Sequence, residues 1–120
     1  MKKTILTTII VTCLLISVSS CKKAKLTKEL WYIESAKDLE DGSDITSDYL
    51  GEIWEFSKDG NYLENNQLKG AWEFSKDKET LIITNTDNSL DSYRIKKLAK
   101  KEMILEELGE EELTLKRYEN

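Results

Sequence analysis

The chain has 120 residues, a net charge of −5 at pH 7, two cysteines, no proline and no histidine. Without histidine, the Ser–His and Cys–His catalytic pairs and histidine-ligated metal sites are excluded. The acidic balance argues against nucleic acid as a partner and gives no general attraction to anionic lipid headgroups. We therefore expect a protein that is not an enzyme and carries no cofactor.

The first residues predict a secretory signal. Lys2 and Lys3 precede an apolar run from Ile5 to Val18, which is short for a membrane-spanning helix of about 20 residues. The run ends in the sequence Val18-Ser19-Ser20-Cys21. This ending resembles the lipobox of bacterial lipoproteins, in which an aliphatic residue and two small residues precede a cysteine.

The resemblance implies cleavage before Cys21 and lipid attachment to its thiol, so that residues 1–20 are the signal peptide. It also implies a place in the bacterial cell envelope, lipid-anchored and, with Lys22 after the cysteine, at the outer membrane facing the periplasm. Cys13 would be removed with the signal, so no internal disulfide could form. The loss of Lys2 and Lys3 would change the net charge from −5 to −7. We expect residues 21–28 to be a solvated tether and residues 29–120 to be one domain.

Strand signals follow one another along this domain. They are short segments rich in β-branched and aromatic residues, separated by turn residues at intervals of about 8–12 residues. The predicted strands are Leu30–Ser35, Ile53–Phe56, Asn61–Asn65, Gly70–Ser75, Thr80–Asn85, Ser92–Leu98, Glu102–Leu108 and Glu112–Tyr118. Between the first two, residues 38–51 form a long polar connection that could hold a short helix after Thr46 or Ser47.

One six-residue sequence occurs twice, at residues 54–59 and again at residues 72–77. In each copy, a tryptophan and a phenylalanine stand two apart with a glutamate between them, which is the period of a strand with one buried face. The aromatic side chains should therefore point inward, and Glu55 and Glu73 should point to solvent. Eight antiparallel strands joined by short turns predict an all-β fold, an up-and-down barrel without open edges.

At this point the chain resembles the small lipocalin-like domains of bacterial lipoproteins. The matching positions are Trp31, Trp54-Glu55-Phe56, Asp59-Gly60-Asn61-Tyr62, Gly70-Ala71-Trp72 and Arg117. Glu29 departs from the pattern, because these domains have a glycine there, so the closed end could be built differently. The resemblance implies an eight-stranded lipocalin-like barrel in which Arg117 packs on the indole of Trp31 at the closed end.

Two functions of different class remain open. In the first, the barrel binds an apolar or lipid-like small molecule at its open end. The candidate ligand-binding residues are Trp54, Phe56, Tyr62, Trp72, Phe74 and Tyr93. In the second, the barrel is filled and acts as a protein-interaction module, such as an inhibitor, an immunity protein or an envelope assembly factor. An acidic stretch at residues 38–44 clusters oxygen donors, but its register does not match a calcium loop, so we expect no metal site.

Overall fold

The computed structural model describes residues 21–119, so the predicted signal segment, residues 1–20, lies outside the described residues. Eight antiparallel strands form one closed barrel in which each strand pairs with the next and the last pairs with the first. The strands are β1 (Trp31–Asp38), β2 (Ile53–Phe56), β3 (Asn61–Glu64), β4 (Gln67–Phe74), β5 (Thr80–Asn85), β6 (Leu90–Leu98), β7 (Glu102–Glu107) and β8 (Glu111–Arg117). The predicted all-β barrel is thus confirmed, and it closes on itself within residues 31–117.

Strand boundaries differ from the predicted ones by up to three residues. β4 begins at Gln67, three residues before the predicted Gly70. The reason is the turn before it, where Asn65 and Asn66 both have positive φ, at 50° and 66°. Two such residues form the tight hairpin turn whose twist matches the flanking strands. Pairing therefore starts at once, between Glu64 and Gln67.

The alternation of side chains fills the barrel as the repeat predicted. The buried apolar residues of the strands are Trp31, Ile33, Ala36, Trp54, Phe56, Tyr62, Trp72, Leu81, Ile83, Tyr93, Met103, Leu105, Leu113 and Leu115. In β1 the alternation is interrupted by a bulge between Ile33 and Ser35 in its pairing with β8. Because the bulge adds a residue on one strand, Ala36 rather than Ser35 is buried.

The long connection between β1 and β2 is ordered along the β1 edge. It contains a 3₁₀ helix, Thr46–Tyr49, where a short helix was predicted. The amide of Ile45 donates to the carbonyl of Ala36 at 2.9 Å, and the amide of Ala36 donates to the Thr46 hydroxyl oxygen at 3.0 Å. These bonds replace the strand pairing that β1 lacks here, because β1 and β2 pair through only two residue pairs.

Residues 21–28, expected to be a solvated tether, are instead part of the domain. Residues 21–27 are helical, and the side chain of Leu26 is completely buried. The carbonyl of Leu26 accepts a hydrogen bond from Nε1 of Trp31 at 3.0 Å. Lys22 Nζ donates to the carbonyl of Lys78 at 3.0 Å. The helix is held because Leu26 buries its apolar side chain in the core cluster that also contains Trp31.

The connections between strands fall at two ends of the barrel. The closed pole comprises residues 21–30, the turns 57–60, 75–79 and 99–101, and residues 118–119. The open pole comprises the connections 39–52, 65–66, 86–89 and 108–110. Among residues 21–119, the structure contains no helix of the length and hydropathy needed to cross a bilayer.

Candidate ligand-binding mouth

The middle of the barrel is filled by aromatic rings in contact. The ring centroids of Trp54 and Tyr62 lie 5.6 Å apart, with the ring planes perpendicular. Phe56 lies 5.3 Å from Tyr62 and 6.1 Å from Trp72, centroid to centroid. Edge-to-face pairs at these separations are favourable packing arrangements. This part of the interior is therefore a solid core.

A cavity of about 440 Å³ lies next to this core at the open pole, and we call it the mouth. Its apolar floor and walls come from Trp54, Tyr62, Ile83 and Tyr93, and Tyr49 of the 3₁₀ helix borders it. Its remaining lining is polar: Glu52, Glu64, Lys69, Asn85, Thr86, Asp87, Ser89 and Asp91. A volume of this size lies within the range of small-molecule sites.

Carboxylates occupy the inward positions where the strands reach the open pole. Each stands two residues from a buried side chain of the core, so strand parity aims it into the mouth. These residues are Glu52 before Trp54, Glu64 after Tyr62, Asp91 before Tyr93, Glu107 after Leu105 and Glu111 before Leu113. The apolar interior thus changes to an acidic ring at its opening.

Burial and neighbouring carboxylates raise the pKa of two carboxyl groups in this ring. Partial burial, together with a hydrogen bond to Glu110 and the charges of Glu110 and Glu111, raises the pKa of Glu107 to about 7. The pKa of Glu52 is also raised, first by burial and further by the charge of Glu64, against a hydrogen bond from Trp54 that lowers it. Ionised carboxylates in the mouth therefore repel one another at neutral pH, and a cation would relieve this repulsion.

Tyrosine hydroxyls hold part of the ring in place. The Tyr62 hydroxyl donates to a carboxylate oxygen of Glu64 at 2.8 Å. The Tyr49 hydroxyl donates to Glu111, which connects the 3₁₀ helix to the first residue of β8. Burial and these carboxylates raise the pKa of both tyrosines. Tyr49 and Tyr62 therefore remain protonated donors across the physiological range.

The structure divides the six predicted ligand-binding aromatics into two groups. Trp54, Tyr62 and Tyr93 line the mouth cavity. Phe56, Trp72 and Phe74 do not line it and lie toward the closed pole. The indole Nε1 of Trp72 donates to the carbonyl of Ser57 at 2.8 Å, in the turn between β2 and β3. Phe74 is only partly buried, and its ring centroid lies 6.0 Å from Nζ of Lys78.

The outward glutamates of the repeat differ from each other. Glu73 is exposed as predicted, but Glu55 is partly buried. Glu55 stands opposite Leu63 in the β2–β3 pairing, so its aliphatic part is covered by this cross-strand neighbour. The sequence pattern alone did not lead to a prediction of the acidic ring. A signal was nevertheless present for three members, since Glu52, Glu64 and Asp91 each lie two residues from an aromatic residue that was predicted to face the interior.

The closed pole contains the expected contact between Arg117 and an aromatic ring. The guanidinium carbon of Arg117 lies 4.4 Å from the ring centroid of Trp31. Nη2 of Arg117 donates to the carbonyl of Lys25 at 2.5 Å, and its Nε donates to the carbonyl of Lys100. Glu29, which departs from the glycine of similar domains, is exposed beside this contact. Here the helix of residues 21–27 covers the end of the barrel.

The acidic residues do not converge into a metal-binding group. Among residues 21–119, no group of three or more histidine, cysteine, aspartate or glutamate side chains is arranged to hold a metal ion. In the acidic stretch of residues 38–44, the carboxylates of Asp38, Asp41 and Asp44 accept hydrogen bonds from backbone amides of their own loop. They stabilise the turns of this connection.

Comparison with known proteins gives a structural match. No family model matches the sequence, and no curated protein matches it. Among solved structures, the barrel is similar to a lipocalin-like protein from Bacteroides uniformis, with a TM-score of 0.61 and 13% sequence identity. The match covers 78% of this chain and 99% of the other. With its closed eight-stranded antiparallel barrel, this chain has a lipocalin-like fold.

Proposed function

We propose that this protein is a binding protein rather than an enzyme, and that its mouth takes a small amphiphilic molecule with a positively charged group. The observation that carries the proposal is a cavity of about 440 Å³ that combines aromatic walls with carboxylates. Trp54, Tyr62 and Tyr93 would contact the apolar part of the ligand. Glu52, Glu64 and Asp91 would pair with its charge.

The aromatic walls and the carboxylates of the mouth together favour one class of ligand. The solid core below the cavity leaves no deep channel for a long acyl chain, so the apolar part must be short. A cation near the faces of Trp54 and Tyr62 would gain about 0.5–2 kcal/mol from the ring quadrupoles. A cation would also relieve the repulsion within the acidic ring, whereas an anionic ligand would increase it. The sequence predicted an apolar or lipid-like ligand. The structure supports a more specific proposal, a small amphiphilic molecule with one apolar part and one positively charged group.

A pair of fluorescent probes tests this proposal. We would titrate the protein with a dansyl fluorophore that carries a trimethylammonium group and with the same fluorophore carrying a carboxylate. The cationic probe should bind, and the double variant Glu52→Gln/Glu64→Gln should weaken its binding at least about tenfold, because two charges near the ligand are lost. The matched control, Glu55→Gln/Glu73→Gln, removes two charges from the outer face and should leave binding unchanged.

Equal binding of the two probes, or equal weakening by both double variants, would refute cation recognition at the mouth. If neither probe nor a neutral apolar dansyl compound binds, the small-molecule proposal itself fails. A Trp54→Phe variant gives an independent readout, because it keeps most of the core volume while changing the cavity wall. It should reduce probe affinity more than it changes the urea midpoint.

We also propose that the domain is tethered to the bacterial envelope through lipid on Cys21, at the outer membrane facing the periplasm. The lipobox-like residues before Cys21 and the exposure of this cysteine support the proposal. Growth with a labelled fatty acid should label the protein, and Cys21→Ser should abolish both the label and cleavage before residue 21. A Cys21→Ser protein that is still cleaved there and still membrane-bound would contradict it. Two or more acyl chains are needed for stable anchoring.

A second candidate function, binding of a protein partner, is favoured by exposed leucines around the mouth. One exposed leucine lies within, or no more than two residues after, each of the four open-pole connections: Leu50, Leu68, Leu90 and Leu108. Exposed apolar side chains gathered at one end often mark an interaction site. The acidic residues between them suit a partner with an apolar and basic surface. Leu50→Ser/Leu108→Ser should abolish capture of such a partner while probe binding at the mouth persists, and unchanged capture would exclude the leucines from the interface.

A further inference from the structure

The two poles of the barrel carry opposite charge. The connections of the open pole contain seven carboxylates and neither lysine nor arginine: Glu40, Asp41, Asp44, Asp48, Glu52, Asp87 and Glu110. The closed pole contains nine lysines: Lys22, Lys23, Lys25, Lys28, Lys58, Lys76, Lys78, Lys100 and Lys101. It also contains five carboxylates: Glu29, Asp59, Asp77, Glu79 and Glu119. The closed pole is therefore positively charged, although the net charge of the chain is negative.

Most lysines of the closed pole are free to meet a partner. Those with exposed side chains are Lys23, Lys28, Lys58, Lys76, Lys100 and Lys101. The ion pairs found among residues 21–119 involve Arg94, Lys96, Lys97 and Lys116, and none of these six lysines. Of the carboxylates at this pole, Asp77 is occupied by its own turn, accepting bonds from Ser75 and Glu79. The six exposed lysines therefore present their charges to solvent without a direct ion pair among the described residues.

A small cleft at this pole concentrates the positive charge. It has a volume of about 120 Å³ and is lined by Lys28, Lys100, Lys101 and Arg117, together with Glu29 and Glu119. Nη1 of Arg117 is buried and has no hydrogen-bond partner among the described residues. Because this nitrogen is buried, the lysines rather than Nη1 would meet a ligand here. Four cations against two carboxylates make the lining of the cleft positive overall, which suits a phosphate group.

The helix of residues 21–27 fixes this pole to the start of the domain. Leu26 is completely buried, and the backbone carbonyls of Lys25 and Leu26 accept bonds from Arg117 and Trp31. Lys22 is bonded to the turn between β4 and β5. Cys21, at the start of this helix, is exposed at the same pole. A membrane attachment at Cys21 would thus bring the positive pole, and not the acidic mouth, toward the bilayer.

We propose that the closed pole lies flat against an anionic lipid surface, with its lysines on the headgroup phosphates and the acidic mouth directed away from the membrane. Basic clusters near a membrane are attracted by anionic lipids, and this attraction acts within about 10 Å at 0.1 M salt. The proposal gives the domain one orientation, in which the mouth faces the aqueous compartment. The orientation proposal depends neither on the small-molecule ligand nor on lipid attachment in the cell. Each of these proposals can therefore fail without the others.

Lysine footprinting on vesicles tests the orientation. The domain from Cys21 onward has a single thiol, which can be coupled to a maleimide lipid in vesicles of phosphatidylcholine alone or with phosphatidylglycerol. Acetylation followed by mass spectrometry then reports the reactivity of each lysine. On anionic vesicles Lys23, Lys58 and Lys101 should be protected relative to phosphatidylcholine vesicles, and salt at about 0.5 M should remove the protection. Lys37, Lys69 and Lys96, which are exposed elsewhere, should react equally on both.

Partitioning of the untethered domain, with Cys21→Ser, gives a second measurement. The triple variant Lys23→Gln/Lys58→Gln/Lys101→Gln should reduce sedimentation with anionic vesicles about 100-fold, at about fivefold for each lysine. The matched control Lys37→Gln/Lys69→Gln/Lys96→Gln makes the same change in net charge and should leave partitioning nearly unchanged. Equal protection of all six lysines, equal loss in both triple variants, or no preference for anionic vesicles would overturn the proposal.

Discussion

Arg117 and Trp31 are cross-strand partners in the β1–β8 pairing, and the guanidinium carbon of Arg117 lies 4.4 Å from the centroid of the Trp31 ring. This contact joins three parts of the closed end. Arg117 also donates to the carbonyl of Lys25 in the helix and to the carbonyl of Lys100 in the β6–β7 turn. A single side chain from the last strand therefore links the first strand, the helix and a distant turn.

Replacing this arginine should destabilise the fold. Arg117→Met keeps an apolar stem on Trp31 but leaves two carbonyls without their donor, so we expect a loss of about 2–4 kcal/mol in the free energy of unfolding. Urea denaturation followed by circular dichroism measures this loss. Arg94→Met is the control, because Arg94 is 60% exposed and its contact with Glu106 is 4.0 Å long; it should cost below about 1 kcal/mol. Equal losses in the two variants would remove Arg117 from the stabilising contacts.

The helix of residues 21–27 should contribute to stability through one side chain. Leu26 is completely buried, so Leu26→Ala should cost about 2–5 kcal/mol by loss of apolar contact and creation of a cavity. Lys23→Ala in the same helix is exposed and should change stability by at most about 0.5 kcal/mol. Thermal and urea unfolding of the two variants make the comparison. If Leu26→Ala is as stable as Lys23→Ala, the helix does not stay packed on the barrel in solution.

Gly70 should not tolerate a side chain. A Cβ at this position would lie 2.2 Å from the carbonyl oxygen of Thr84 in the neighbouring strand β5, and backbone there cannot move without breaking pairs. Gly70→Ala should therefore cost about 3 kcal/mol or more. Gly109→Ala is the control, because Gly109 has positive φ but no atom lies within 4 Å of a Cβ built at this position. This variant should lose about 1–2 kcal/mol in the free energy of unfolding, from backbone strain alone. A urea midpoint for Gly70→Ala equal to that of Gly109→Ala would contradict close approach of the strands.

Glu107 should make stability depend on pH. Its pKa of about 7 in the folded state is higher than its ordinary value of 4.5, so the folded state binds more protons than the unfolded state between these values. Its contribution to the free energy of unfolding must fall as pH rises from about 5 to 7. Glu107→Gln removes this contribution, so the variant should match the wild-type protein near pH 4 and be more stable at pH 8.

Urea midpoints across this pH range give the difference curve. Only the difference between Glu107→Gln and the wild-type protein is informative, because carboxylates with lowered pKa, such as Asp44 and Glu102, act in the opposite direction. Glu73→Gln, exposed on the outer face, should give a curve parallel to that of the wild-type protein. A parallel curve for Glu107→Gln as well would mean that burial and the neighbouring carboxylates do not raise the pKa of Glu107.

Local sequence patterns determined the strands and the inward face of most of them. β2 and β5 have the predicted bounds, and Trp54, Phe56 and Trp72 are buried as the period of two predicts. Side-chain alternation is a local property, so it is visible without knowledge of any partner strand. The bulge in β1 was not visible, because it is defined only by the pairing of β1 with β8.

Tertiary structure alone decided which side chains share one place. Glu52, Glu64, Asp91 and Glu107 are far apart along the chain, and strand parity predicts at most that each points inward. Only the closed barrel brings these strand ends together at one mouth. The same closure gathers lysines from four separate segments at the opposite pole, although the total charge of the chain is negative. The composition gives only the total charge and not where each charged residue lies. In an antiparallel up-and-down barrel, successive connections lie at opposite ends, so the charges of alternate connections are collected at the same end. The separation of acidic mouth and basic pole is a consequence of topology.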